Sequence, residues 1–112
     1  MEPIITITTT TSDREMIERI GRSLLTKRLI ACIQIVGPIK SLYWWRGNVE
    51  EENEWLGIMK SRRGLYARVE DEILKVHPYE VPEISAMELV GVSPSYESWI
   101  RTETAEDVNK TE

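Results

Sequence analysis

The chain has 112 residues, a length that suits one domain. Its composition, with 41% hydrophobic and 29% charged residues, is typical of a soluble, globular protein. Basic side chains number 14 and acidic side chains 19, so the net charge is −5. This acidic balance argues against a nucleic-acid partner, because such a partner requires a basic surface.

The cysteine count and the start of the chain indicate a cytoplasmic protein. A single cysteine cannot form an internal disulfide and fits a reducing compartment. The first residues, Met1-Glu2-Pro3, lack the basic and apolar regions of a signal peptide. No apolar run approaches the length needed to span a bilayer, so we expect no membrane partner.

The first third of the chain predicts a strand followed by a helix. β-branched residues from Ile4 to Thr11 favour a strand. Ser12, with Glu15 three residues later, predicts a capping box at the start of the helix. The apolar side of this helix is marked by residues at helical spacing, namely Ile17, Ile20, Gly21 and Leu24.

A long hairpin is predicted next. The stretch from Ile30 to Trp45 indicates one strand, which Gly37-Pro38 interrupts with a bulge or an edge. Gly47-Asn48 predicts a tight turn, and the return strand runs from about Val49 to Ser61. Sixteen strand residues would span roughly 50 Å, whereas a compact domain of this size is about 35 Å across. The tip, with adjacent tryptophans Trp44 and Trp45, should therefore extend beyond its own core and form a partner surface.

The remaining elements are a helix, a strand and a short helix. Apolar residues at helical spacing run from Leu65 to Val76, and Pro78 ends this second helix. A strand follows from Ile84 to about Val90. Ser93-Pro94 predicts the start of the third helix, with serine as the N-cap and proline at the first helical position.

This order predicts an α+β protein with a ferredoxin-like βαββαβ fold and a short C-terminal helix. In that fold two helices cover one face of an antiparallel sheet. We place the folded domain at residues 1–101 and expect residues 102–112 to form a loose polar tail. Because the central strands are apolar on both faces, the open sheet face should be covered by self-assembly.

The stretch from His77 to Ile84 is the first candidate for chemistry. It holds the only histidine together with Glu80 and Glu83, and imidazole and carboxylate groups are suitable ligands for copper, zinc or nickel. The alternative is a structural histidine that ends a helix and bonds a nearby carbonyl. In an extended chain Glu80 and Glu83 would lie roughly 10 Å apart, which leaves the direction of each carboxylate open.

Each of the remaining candidate residues can be interpreted either as part of a functional site or as an ordinary structural residue. Cys32 lies between apolar neighbours early in the second strand, which favours a buried and inert thiol. Tyr79 could stack on a ligand, but packing at a subunit contact is favoured. Basic residues near the hairpin ends could bind an anion or serve as ordinary strand-end charges; they are Arg46, Lys60, Arg62 and Arg63. With one histidine and one cysteine we find no catalytic set and do not expect an enzyme.

Several of these blocks together resemble the divalent-cation tolerance protein family, CutA. The resemblance covers nearly the whole chain up to about Ile100. The matching blocks are Ala31-Cys32, Gly37-Pro38-Ile39, Ser41-Leu42-Tyr43-Trp44-Trp45-Arg46-Gly47, His77-Pro78-Tyr79-Glu80-Val81-Pro82-Glu83-Ile84, Tyr96 and Trp99-Ile100.

The resemblance implies a tight homotrimer, similar in plan to the PII signalling proteins, in the cytoplasm. It also implies a role in tolerance of divalent cations, with Cu(II) or another divalent ion as a possible ligand and no established catalysis. Ligands proposed in the family are a cysteine on the first strand, a histidine beside the His-Pro-Tyr block and the glutamate after its second proline. Glu83 matches the last of these, whereas Val76 precedes His77 and Cys32 lies on the second strand.

Two hypotheses therefore stand. In the first, the chain is a trimeric cation-response protein that binds divalent metal through His77 and Glu83, with Cys32 as a further candidate. In the second, it is a PII-like sensor or scaffold that binds a small anionic ligand or a protein partner at subunit clefts. In both, we expect the subunit contacts to involve aromatic residues of the hairpin and of the His-Pro-Tyr block, namely Tyr43, Trp44, Trp45 and Tyr79.

Overall fold

The computed structural model describes residues 2–105, and within them the elements follow the predicted order. They are β1 (Ile4–Thr11), α1 (Arg14–Thr26), β2 (Cys32–Trp45), β3 (Asn48–Arg62), α2 (Tyr66–Val76), β4 (Ile84–Glu88) and α3 (Pro94–Glu103). A short 3-10 turn, Arg63–Leu65, precedes α2. This arrangement confirms the predicted ferredoxin-like βαββαβ fold with a long hairpin and a C-terminal helix.

The sheet is antiparallel, with strands in the order β2-β3-β1-β4. β1 is central, and its Ile5 and Ile7 are buried together with Met59 of β3. Helices α1 and α2 supply the other side of this core through regularly spaced apolar residues, which include Ile20, Leu24, Val69 and Ile73. The core therefore lies between the two helices and one face of the sheet.

The opposite face of the sheet is only partly covered. Because side chains alternate along a strand, Thr6 faces away from the core, as do its neighbour Lys60 and the next residue across, Cys32. The Cys32 thiol lies 3.6 Å from the Tyr96 hydroxyl, so α3 packs on this face. Farther along, the face stays open, and Val36 is 46% exposed.

The hairpin of β2 and β3 extends well beyond the rest of the sheet. Its pairing shifts register between Val36 and Ile39, where Gly37-Pro38 interrupts the ladder, and then continues to the pair Trp45 and Asn48. The described residues measure 47 × 30 × 24 Å along their principal axes. This elongation agrees with the predicted reach of the hairpin beyond its core.

The tight turn at the hairpin tip lies one residue earlier than predicted. Trp45 pairs with Asn48, so Arg46 and Gly47 are the two central turn residues, and Asn48 already belongs to β3. Their φ angles are +50° and +84°. Two consecutive positive φ angles match the right-handed twist of the flanking strands, which explains why the turn settles at this position.

Three other predicted boundaries also differ. Asp13, not Ser12, caps α1, because its Oδ1 accepts the Glu15 backbone N–H at 2.9 Å. β2 begins at Cys32 instead of Ile30, and β4 ends at Glu88 instead of Val90. The side chain of Ser93 precedes α3 as predicted but makes no capping hydrogen bond.

The C-terminal helix extends past the predicted domain boundary. α3 continues to Glu103, so the expected division after Arg101 falls inside this helix. Thr104 is buried, and the Ala105 backbone N–H donates to the Arg28 carbonyl at 2.6 Å. The rest of the predicted tail, residues 106–112, lies outside the described residues.

Within residues 2–105, no helix combines the length and the apolar character required to cross a membrane.

Candidate functional site

His77 lies where α2 ends and the chain turns toward β4. Its backbone N–H closes the helix by donating to the Ile73 carbonyl at 2.9 Å, while its own backbone is already extended, with φ −70° and ψ 133°. Pro78 enforces this change, because the residue before a proline disfavours helical geometry. The imidazole is thereby directed at the end of β1.

Both ring nitrogens of His77 are used within the chain. Nε2 lies 2.7 Å from the Thr10 carbonyl oxygen, and Nδ1 accepts the Tyr79 backbone N–H at 3.1 Å. A carbonyl can only accept and an amide N–H can only donate, so Nε2 carries the proton and the imidazole is neutral. The structural alternative considered for this histidine, a ring bonded to a nearby carbonyl, is the arrangement observed.

This arrangement does not fit a copper ligand. A metal ion must bind the lone pair of a ring nitrogen, and the free lone pair on Nδ1 of His77 already accepts the amide of Tyr79. Binding would therefore require the turn at Tyr79 to open. Glu83 lies exposed just before β4.

Cys32 lies far from His77. It is the first residue of β2 and aligns across β3 with Thr6, whereas His77 bonds to Thr10, roughly 13 Å farther along β1. The thiol is half-buried and not buried as predicted, and the Tyr96 hydroxyl of α3 lies 3.6 Å from it. Among the described residues, no three His, Cys, Asp or Glu side chains are grouped so that they could hold a metal ion. The donor set of His77, Glu83 and Cys32 is therefore not assembled within one subunit.

Tyr79 is held within its own chain. Its ring packs edge-on against the His77 imidazole, with 4.7 Å between centroids, and its hydroxyl donates to a Glu54 carboxylate oxygen at 2.7 Å. Burial and the nearby Glu54 carboxylate raise the pKa of Tyr79 well above its ordinary value, so the hydroxyl remains a donor. Tyr79 thus joins the His-Pro-Tyr turn to β3.

One face of the hairpin carries an exposed apolar surface, which consists of Leu42, Trp44 and Val49. Trp44 pairs directly with Val49 across the hairpin, and Leu42 lies two residues away on the same face. Their exposed fractions are 65%, 74% and 57%. The alternate residues Tyr43 and Trp45 are half-buried, so the two tryptophans lie on opposite faces.

The hairpin tip is also tied to the His-Pro-Tyr turn. The Arg46 guanidinium lies 5.3 Å from the centre of the Trp45 ring and donates to the Glu80 carboxylate at 3.0 Å. Arg62, another basic candidate for an anion site, is buried and bonds to Glu2 at 2.6 Å. Arg46 and Arg62 therefore form ion pairs within the chain and do not share an anion site.

Sequence reasoning missed the importance of Glu54 and of the Thr10 carbonyl. Glu54 is the last residue of an acidic run and is only 6% exposed. Its neighbours Glu51 and Glu52 are exposed on the same strand. Nothing in the run distinguishes the buried glutamate, because its hydrogen-bond partner Tyr79 lies 25 residues away in the sequence. A backbone carbonyl such as that of Thr10 leaves no sequence signal at all.

Comparison with known proteins gives one consistent family. Residues 5–103 match the family described as CutA1 divalent ion tolerance protein. The chain is 37% identical over 98 residues to the divalent-cation tolerance protein CutA of Thermotoga maritima, a match that covers 88% of this chain and 96% of that protein. It is 34% identical over 104 residues to the chloroplastic protein CutA 1 of Oryza sativa, with 93% of this chain and 59% of that longer protein covered.

Solved structures agree in fold. The crystal structure of CutA1 from Oryza sativa superposes with a TM-score of 0.90 at 33% identity, covering 94% of this chain and 96% of that one. The CutA1 structure from Thermus thermophilus gives a TM-score of 0.88 at 30% identity, with 91% and 99% covered. The chain therefore belongs to the CutA1 divalent ion tolerance protein family.

Proposed function

We propose that the chain acts in the cytoplasm as a homotrimeric divalent-cation response protein whose subunits join through the long hairpin. The family is described by tolerance of divalent ions and by no catalysed reaction. The single cysteine supports a reducing compartment, since it cannot form an internal disulfide. The number of subunits, three, comes from the family resemblance.

The observation that carries this proposal is the exposed apolar surface of Leu42, Trp44 and Val49. It lies on a two-stranded ribbon beyond the sheet, where the chain has no core of its own to cover it. Exposed tryptophan is costly in water and is a frequent energetic centre of protein interfaces. A second copy is the simplest partner, because the partly open sheet face of each copy also offers half-buried apolar side chains such as Leu56 and Ile58.

Metal binding is the less specific part of the proposal. We propose that any contact of Cu(II) with His77 is weak, because it must displace the Tyr79 amide from Nδ1. Glu83, being exposed, would contribute as a surface carboxylate. The response to cations would then depend on weak sites of the assembly and not on a preformed site within one subunit.

Light scattering of the purified protein at micromolar concentration tests the assembly. Three chains of 13.0 kDa predict a mass of about 39 kDa. Trp44→Glu should reduce the mass to that of a single chain, because it places a charge in the proposed contact. Leu74→Glu is the matched control, since Leu74 is a 53% exposed apolar residue on α2, away from the hairpin. A monomer mass for the wild type would contradict the proposal.

A further inference from the structure

The hairpin leaves the sheet at Glu54. β1 pairs with β3 as far as Thr11 and Trp55, so Glu54 is the first residue of β3 beyond the reach of β1. Across the hairpin it faces Ile39, where pairing with β2 resumes after the interruption at Gly37-Pro38. From this point outward only two strands remain, and an isolated two-stranded ribbon is marginally stable.

Three successive hydrogen bonds lead from β1 to Glu54. The Thr10 carbonyl accepts from His77 Nε2 at 2.7 Å, and His77 Nδ1 accepts from the Tyr79 N–H at 3.1 Å. The Tyr79 hydroxyl then donates to Glu54 at 2.7 Å. These bonds thus connect the end of the central strand β1, through the His-Pro-Tyr turn, to the base of the hairpin.

The surroundings make the last of these bonds significant. Glu54 is buried. If a buried carboxylate loses a hydrogen-bond donor, the free energy of its desolvation is no longer offset and the folded state is destabilised. The turn that presents Tyr79 is stiff, because Pro78 and Pro82 restrict its backbone. The ion pair of Arg46 with Glu80 also links the hairpin to this turn, but both side chains are about 70% exposed, so it contributes little.

We infer that the Tyr79–Glu54 hydrogen bond is a latch that fixes the direction in which the hairpin leaves the sheet, with His77 as the residue that positions Tyr79. Without the bond, the two-stranded ribbon would sample other directions at its base. This assigns Glu54 a role in orientation, although it lies in a run of exposed acidic residues. It also gives a role to the two hydrogen bonds that the ring nitrogens of His77 make within the subunit.

The latch has a consequence for assembly, and this consequence rests on the proposed function. If copies join through the hairpin, only chains with the hairpin correctly directed can assemble. The apparent affinity then falls in proportion to the fraction of such chains. Every subunit must hold its hairpin in the correct direction before it can assemble. Loss of the latch should therefore weaken the assembly, although the exposed apolar surface of Leu42, Trp44 and Val49 is unchanged.

The first test is amide hydrogen exchange in Tyr79→Phe, which removes the hydroxyl and keeps the ring. We expect amides of residues 39–53 to exchange about tenfold faster, the effect of losing one hydrogen bond to a charged group. Amides of β1 should be unchanged. Tyr66→Phe is the matched control, because the Tyr66 hydroxyl also donates to a glutamate carboxylate, that of Glu70 at 3.2 Å, but on α2 and away from the hairpin. Equal exchange in the wild type and Tyr79→Phe would overturn the latch.

The second test measures the apparent affinity between subunits by native mass spectrometry across a dilution series, for the wild type and for each variant. Tyr79→Phe should weaken this affinity at least about tenfold, whereas Tyr66→Phe should leave it unchanged. Faster amide exchange without a weaker apparent affinity would overturn the assembly consequence and retain the latch. A monomeric wild type would overturn the proposed function, and the amide experiment would still decide the latch.

If Tyr79→Phe does not fold, a second variant, Glu54→Gln, still tests the latch. Glu54→Gln keeps the shape and one acceptor oxygen, so the Tyr79 hydroxyl can still bond, but to a neutral group. We expect its amide exchange to lie between those of the wild type and Tyr79→Phe. In the double variant, Glu54→Gln should not add to the effect of Tyr79→Phe and should partly reduce it, because it removes the buried charge that has lost its donor. Additive effects would overturn the latch.

Discussion

The Arg62 guanidinium donates a hydrogen bond from Nε to the Thr104 hydroxyl at 3.2 Å, and both side chains are buried. This bond joins the end of β3 to the first residue after α3. The same arginine bonds Glu2 through Nη1 at 2.6 Å, so it connects both ends of the described chain. The C-terminal helix is therefore part of the folded unit.

Thr104→Val tests this connection, because valine has nearly the shape of threonine but no hydroxyl. The change leaves the buried Arg62 Nε without its partner and removes the bond from Thr104 to the Ile100 carbonyl. We expect the free energy of unfolding to fall by about 1–3 kcal/mol. Urea unfolding at fixed protein concentration measures it. Thr102→Val, exposed on the same helix, should change it little, and equal stabilities of the two variants would refute the role of Thr104.

Glu2 makes part of the stability dependent on pH. Burial opposes ionisation, but the Gly64 backbone N–H and Arg62 outweigh it, so the pKa of Glu2 lies below its ordinary 4.5. A lowered folded-state pKa contributes stability that is present above pH 4.5 and is lost as the pH falls through the folded value. We therefore expect Glu2→Gln to cost about 1 kcal/mol at pH 7 and less at pH 3.

The measurement for Glu2 is urea unfolding of the wild type and the variant at both pH values, with protein concentration held constant because assembly couples to stability. Glu83→Gln serves as the control, since that carboxylate is exposed. A difference between wild type and Glu2→Gln that persists undiminished at pH 3 would show that the charge of Glu2 is not what stabilises the fold.

Calorimetric titration with Cu(II) tests whether His77, Glu83 and Cys32 act together. Because the three side chains are not grouped within one subunit, Glu83→Gln and Cys32→Ser should each change the Cu(II) affinity less than about twofold. A contribution of His77 would appear as weaker binding at acidic pH, because a protonated imidazole cannot bind a metal ion. A tenfold loss in either variant would instead indicate ligands that converge between subunits.

Local patterns in the sequence were sufficient for the order of the elements. Three local signals depend only on near neighbours along the chain: the helical spacing of Ile17, Ile20 and Leu24, the proline after α2, and the proline that begins α3. The excess length of the hairpin follows from counting residues, and the block around the only histidine identifies the family without any coordinates. Boundaries shifted by one or two residues. At Asp13 either of two adjacent polar side chains could cap the helix, and at Arg46 the twist of the strands selects the turn.

The meaning of the His-Pro-Tyr block was decided only by the tertiary structure. The sequence alone left both a metal ligand and a structural ring open for His77, because its partners, the Thr10 carbonyl and the Tyr79 amide, are backbone groups without a residue signature. The pairing of Tyr79 with Glu54 joins positions 25 residues apart, so no periodicity can predict it. Composition and spacing determine which elements form, since these depend on local propensity and apolar patterning. Which polar groups meet depends on how those elements pack, and packing is a property of the whole chain.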